Sequence, residues 1–218
     1  MDTYEAILFD MDGVLVDVSQ SYRLAIQYTA EHFLGQSIKQ EEITALKQQG
    51  GYNNDWDLTD AIIKKRGMTV DRNAIIDRFQ QFYLGDNFNG VIQNEKWLLS
   101  KNNLEKLKKN FTLGIVTGRP RAEALYVLER FDTASYFDVV VGMEDIPIDK
   151  PDPAGILLAL EMLHVSRALY VGDTIDDMKA ARAAGIDAIG MMVGDDDGER
   201  LMEVGAIEVV KSVNDIIE

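Results

Sequence analysis

The sequence predicts an α/β protein, a doubly wound parallel sheet with a bundle of helices inserted after its first strand. Three observations carry this. A short apolar run, Ala6–Phe9, opens the chain; residues 18–94 read as helices almost throughout; and from residue 95 onward short β-rich runs alternate with helical patterns. Strands separated by helices of about 10–15 residues imply right-handed β-α-β crossovers and hence a parallel sheet. The expected organisation is a core of residues 1–17 and 95–218 and a helical insert of residues 18–94.

In chain order, Ala6–Phe9 reads as a buried strand, apolar without alternation. The insert then supplies "SYRLAIQYTAEHFLG", "QEEITALKQQGG", "NDWDLTDAIIKKRG" and "DRNAIIDRFQQFYLGDNF". Apolar positions recur there at spacings of three and four, as in Leu24, Ile26, Tyr28 and Phe33, with glycine stops at Gly35, Gly50 and Gly67. The core resumes with a predicted helix "NEKWLLSKNNLEKLKKN", the strand "FTLGIVTG" and the helix "PRAEALYVLERF". There follow "FDVVVG", the helix "DPAGILLALEML", the strand "RALYVGD", the helix "TIDDMKAARAAG", and short runs in "DAIGMMVG" and "AIEVVK".

Bulk properties narrow the function. The chain has 218 residues, 46% hydrophobic and 27% charged, as an ordinary globular protein does. A net charge of −15 argues against general nucleic-acid binding, which needs a basic surface. There is no cysteine, and the histidines are His32 and His164. Thiolate zinc sites, cysteine nucleophiles and disulfides are excluded, and a Ser-His-Asp triad has almost no raw material. No run reaches the roughly 18 apolar residues of a membrane span. The N-terminus lacks the basic flank and apolar core of a signal peptide, so a cytoplasmic location is expected.

In a doubly wound sheet, ligands bind beyond the carboxyl ends of the strands. There the sequence puts Asp10 and Asp12, Thr117-Gly118-Arg119, and Asp173 with Asp176 and Asp177. Lys150 lies in the loop "EDIPIDKPDP". Carboxylates packed together raise one another's pKa unless a cation compensates them, and Mg²⁺ prefers a shell of oxygen ligands. Asp10 and Asp173 suit that ion, while Lys150, the Thr117 hydroxyl and backbone N–H groups around Gly118 suit a phosphoryl group.

These residues resemble the haloacid dehalogenase (HAD) superfamily, which has four motifs at the strand ends of a Rossmann-like core. Asp10-Met11-Asp12-Gly13 matches the first, Thr117 in "IVTG" the second, Lys150 in "KPDP" the third, and Asp173 with Asp177 in "VGDTIDD" the fourth. The resemblance spans essentially the whole chain. It implies that Asp10 is a nucleophile forming an aspartyl-phosphate, and that Asp12 is general acid and then base, its backbone carbonyl touching the metal. Thr117 and Lys150 would hold phosphoryl oxygens, with Asp173 on Mg²⁺ and Asp177 on the metal or on Lys150.

Other polar residues keep two readings. Asp176 fits a helix start better than a ligand position. Arg119 either contacts substrate phosphate, as Gly118 would, or pairs structurally. The run Asp195-Asp196-Asp197 lacks the ligand spacing of a calcium loop and reads as a solvated turn at a helix start. In the cap, the loop from Lys47 to Asp57 is either a turn around a buried Trp56 or a specificity loop closing over the site. Lys47 and Asn54 are its candidate substrate contacts, with Tyr22 and Arg23 on the first cap helix as further ones.

Within the resemblance, Asp12 counts against dehalogenases, which lack that carboxylate, and no cap lysine singles itself out for phosphonatase chemistry. "LK" at Leu46-Lys47 resembles the β-phosphoglucomutases, but Tyr22 stands near their cap histidine and Gly51 near their arginine. The cap loop and "VTGRPR" resemble a subfamily I branch named for relatedness to imidazoleglycerol-phosphate dehydratase, whose own chemistry needs more histidines than the chain has. A Mg²⁺-dependent phosphatase acting on a small phosphorylated metabolite is therefore expected. Mutase-like phosphoryl transfer and an idle binding protein are the alternatives, and oligomeric state is not legible.

Overall fold

The computed structural model describes residues 4–48, 54–192 and 198–217, which divide into two compact units, one of residues 1–17 and 97–218 and one of residues 18–96. The first unit is built on six parallel strands. These are β1 (Ala6–Phe9), β4 (Thr112–Val116), β5 (Val139–Val141), β6 (Ala168–Gly172), β7 (Asp187–Met191) and β8 (Glu208–Val210), in the order β5-β4-β1-β6-β7-β8. Two short strands, β2 (Val16–Asp17) and β3 (Lys96–Trp97), lie where the chain leaves and rejoins this unit.

Every residue of β1 and β6 is buried, as befits strands covered on both faces. Ile7, Leu8 and Phe9 each contribute about 1.5–3 kcal/mol by leaving water. The covering helices of this unit are α5 (Lys101–Asn110), α6 (Arg121–Arg130), α7 (Ala154–Leu163), α8 (Ile175–Ala184) and α9 (Gly198–Val204). From β1 the chain builds β4 and β5 on one side and β6 to β8 on the other, so the winding direction reverses at β1. Phe9 is in register with Ile115 and with Val171. Asp10, Thr117 and Asp173 therefore leave the sheet together on three adjacent strands, where a doubly wound sheet offers its ligand site.

The second unit contains α1 (Tyr22–Leu34), α2 (Gln40–Gln48), α3 (Asp55–Lys65) and α4 (Arg72–Tyr83). The spacing of apolar residues does not mark the buried face of α1. That face is Ala25, Ile26, Thr29 and Ala30, whereas Tyr28 is exposed. Small side chains there let α3 and α4 pack against α1. Helix α4 stops at Tyr83, short of the predicted end, because Gly85 turns left-handed at φ +63°. A buried carboxylate, Glu95, accepts hydrogen bonds from Ser21 Oγ at 2.8 Å and Tyr83 Oη at 3.0 Å, tying together the two ends of the unit.

The predicted helix Asn94–Asn110 is only half correct. Glu95 is extended, Lys96–Trp97 is strand, and the helix starts where Ser100 caps it, its Oγ accepting the Asn103 N–H at 3.3 Å. The run Asp195-Asp196-Asp197 lies outside the described residues.

Candidate active site

The strand ends converge as the sequence suggests. Asp10, Asp173 and Asp177 each place a carboxylate oxygen within 4.8 Å of the others. Two glycines make the room. Gly13 turns at φ +75°, and a Cβ there would fall 2.1 Å from Asp173 Oδ2; a Cβ on Gly172 would fall 2.4 Å from that of Asp177. Asp12 stands outside this trio.

Lys150 is the compensating cation. Its Nζ donates to Asp10 Oδ1 at 2.9 Å and to Asp177 Oδ1 at 2.6 Å. Asp177 is engaged on both oxygens. Its Oδ2 accepts from the Thr174 N–H at 3.0 Å and the Thr174 hydroxyl at 2.6 Å, and Thr174 Oγ1 in turn accepts the Asp177 N–H at 3.1 Å. This reciprocal capping box opens α8, so one carboxylate both starts the helix and anchors Lys150. Asp177 thus pairs with Lys150 while sharing the acidic cluster with Asp10 and Asp173.

Electrostatics separate the three acids. Burial, followed by the charges of Asp177 and Asp12, outweighs Lys150 and pushes Asp10 up to about 7. Burial, then Asp177 and Asp10, holds Asp173 well above the usual carboxylate range. For Asp177 burial acts in the same upward direction, but Lys150 and the Thr174 donors overcome it and hold the carboxyl low. Burial opposes the charge on Lys150, yet Asp10 and Asp177 raise its pKa well above that of a free lysine.

Thr117 is buried at the end of β4, and its Oγ1 accepts the Arg119 N–H at 3.2 Å, leaving the hydroxyl proton available. Gly118 is exposed with open space where a side chain would project, so its backbone is bare. Arg119 is paired with Asp12. It is 1% exposed, and its Nε donates to Asp12 Oδ1. Asp176 sits in the first turn of α8, as expected for a helix-start residue.

The cap candidates are placed in the other unit. Asn54 Oδ1 accepts the Trp56 N–H at 2.8 Å and so caps α3. Tyr22 stacks on Tyr83 with ring centroids 4.5 Å apart. Lys47 belongs to α2, but its side chain lies outside what the structure describes, as do residues 49–53 of the loop.

One site residue was missed by sequence reasoning. Tyr170 on β6 is fully buried, its hydroxyl 3.1 Å from Lys150 Nζ, 3.1 Å from Asp177 Oδ1 and 3.2 Å from the Val116 carbonyl. Burial and the charge of Asp177 hold that hydroxyl protonated well beyond its ordinary range. A tyrosine inside an otherwise aliphatic buried strand was the available signal, since a buried hydroxyl needs a partner.

The sequence model described as haloacid dehalogenase-like hydrolase matches residues 7–191. Over 208 residues the chain is 38% identical to an imidazoleglycerol-phosphate dehydratase of Phytophthora nicotianae, a match covering 91% of this chain but 46% of that protein. The chain thus spans about half the length of that relative. It is 31% identical over 221 residues to a phosphorylated carbohydrates phosphatase of Thermotoga maritima, covering 95% of this chain and 94% of that one. A crystal structure from Thermotoga maritima, provisionally titled a beta-phosphoglucomutase, superposes with a TM-score of 0.78 at 28% identity, covering 98% of each chain.

Proposed function

Given that the chain belongs to the haloacid dehalogenase-like hydrolases, we propose that it is a phosphatase that cleaves small phosphorylated metabolites through Asp10. The observation that carries the reading is the charge balance at the strand ends. Three carboxylates meet one ammonium, whose ion pairs are with Asp10 and Asp177. With all three ionised the surplus is two negative charges, which a divalent cation would offset. Oxygen-only donors and the raised pKa values of Asp10 and Asp173 fit Mg²⁺. Asp10 and Asp173 would hold it, with Asp177 behind them. When bound it supplies charge neutralisation for the phosphoryl group.

The chain's own residues do the rest. Asp10 attacks phosphorus, forming an aspartyl-phosphate as the ester P–O bond breaks. Asp12 gives a proton to the leaving alkoxide and later takes one from the water that frees phosphate. Arg119 pairs with Asp12, and proton transfer from Asp12 to the leaving group calls for that pair to loosen. Thr117, the Gly118 backbone and Lys150 hold the phosphoryl oxygens, so positioning and electrostatics supply most of the catalysis. Residues 18–96 would act as a cap that reads the organic half of the substrate, with Lys47 as its charged contact.

Sugar phosphates are the first compounds to test, since the Thermotoga maritima phosphatase is named for phosphorylated carbohydrates. The beta-phosphoglucomutase title of the solved structure supports a second reading, transfer of phosphate between positions of one sugar. Phosphate release from a metabolite panel, with Mg²⁺ and with chelator, separates the readings. Metal-dependent release supports the phosphatase. An isomeric sugar phosphate without free phosphate supports the mutase. No product from any compound, with binding retained, would leave an idle binding protein.

A further inference from the structure

We propose that the Tyr170 hydroxyl positions Lys150 for phosphoryl transfer, an inference that rests on the phosphatase reading above. A lysine ammonium has three N–H donors and no acceptor. Three oxygens lie within reach of Lys150 Nζ, namely Asp177 Oδ1 at 2.6 Å, Asp10 Oδ1 at 2.9 Å and Tyr170 Oη at 3.1 Å. They account for every donor in the absence of substrate, and the donor on Asp10 is the one that would pass to a phosphoryl oxygen as that carboxylate attacks. Two of them belong to groups that take no part in bond making, so Tyr170 and Asp177 fix the rotation of the ammonium and direct its remaining proton at the reacting carboxylate.

Tyr170 is itself held. Its oxygen accepts from Lys150, and its own proton has two acceptors, the Val116 carbonyl at 3.2 Å and Asp177 Oδ1 at 3.1 Å. The hydroxyl thus sits between the ends of β4 and β6, the strands that deliver Thr117 and Asp173. Lysine otherwise reaches its target through a flexible four-carbon stem. A single backbone-anchored acceptor removes that freedom at the point where misplacement is most damaging to rate.

Tyr170→Phe isolates the hydroxyl, because it keeps the ring, which lies 5.8 Å from Nζ at its centroid. The substrate for the test is whichever of p-nitrophenyl phosphate and a panel of sugar phosphates the wild type hydrolyses best with Mg²⁺. The expected result is a fall in kcat of about tenfold with KM changed less than about threefold, since one charge-assisted hydrogen bond at the reacting group is lost. In a Lys150→Met background the same substitution should change the residual kcat less than about twofold, because its effect passes through Lys150.

Equal losses in both backgrounds would overturn the proposal, as would an unchanged kcat in Tyr170→Phe. The phosphatase reading fails separately. If the wild type releases no phosphate from any compound, that reading falls and the positioning role falls with it. Coupling of the two substitutions in urea unfolding would then mark a structural contact only.

Discussion

Two glycines with the same backbone conformation provide a controlled test of the site. Gly13 has φ +75° and Gly185 has φ +76°, both in the left-handed region where an alanine costs about 1–2 kcal/mol. Their surroundings differ. Around Gly185 nothing lies within 4 Å of the position a Cβ would take; at Gly13 Asp173 Oδ2 lies 2.1 Å away and Asp173 Cγ 2.7 Å. Real contacts to a Cβ do not fall below 3.0 Å, so Gly13→Ala must drive the Asp173 carboxylate back by about 1 Å. Misplacing a catalytic group by that distance costs on the order of 100-fold in rate. Gly185→Ala and Gly13→Ala should therefore both lose about 1–2 kcal/mol in urea unfolding. Gly13→Ala alone should lose phosphate release by about 100-fold, with a higher Mg²⁺ concentration needed for half-maximal activity. Equal activity in the two variants would refute the placement of Asp173 against Gly13 as a requirement of the site.

The remaining predictions concern charge. Asp10 and Asp173 have folded pKa values above their unfolded ones, so their contribution to stability is fully present below about pH 4 and is lost as pH rises, through about 7 for Asp10 and through the raised pKa of Asp173. With chelator present, thermal unfolding should show a lower Tm at pH 8 than at pH 5, and Asp173→Asn should raise Tm at pH 8. Mg²⁺ should raise Tm more at pH 8 than at pH 5, because it offsets the charge that ionisation creates; a Mg²⁺ effect independent of pH would contradict the charge balance. Lys150→Met leaves Asp10 and Asp177 without their common partner, so in chelator it should cost about 3–5 kcal/mol at neutral pH. Added Mg²⁺ should restore part of that loss, and phosphate release should fall by at least about 1,000-fold. Chemical denaturation and an end-point phosphate assay check both.

Much of the fold was legible because its signals are local. The alternation of strand and helix from residue 95 onward gives the parallel sheet directly, and the polar residues at the strand ends fall where a doubly wound sheet presents them. What was not legible depends on tertiary neighbours. The buried stripe of α1 runs through Ala25, Thr29 and Ala30, whose fit against α3 and α4 periodicity cannot reveal. The stretch from Asn94 to Asn110 carries one helical pattern, but strand pairing claims its first part and the Ser100 cap sets the true start. The site shows the same limit. The carboxylates and Lys150 announce themselves by type and spacing, whereas the Arg119–Asp12 pair and the Tyr170 contact join residues 107 and 20 positions apart. The steric need for Gly13 and Gly172 likewise appears only once Asp173 and Asp177 are in place.

The most direct measurement is capture of the covalent state at Asp10. Wild-type protein mixed with Mg²⁺ and the best-hydrolysed sugar phosphate would be quenched, reduced with borohydride and analysed by peptide mass spectrometry, beside Asp10→Asn. The predicted result is reduction at Asp10 in the wild type, dependent on both substrate and Mg²⁺, with no phosphate release by Asp10→Asn. Steady phosphate release with Asp10 unmodified, or an active Asp10→Asn, would contradict nucleophilic attack by this carboxylate.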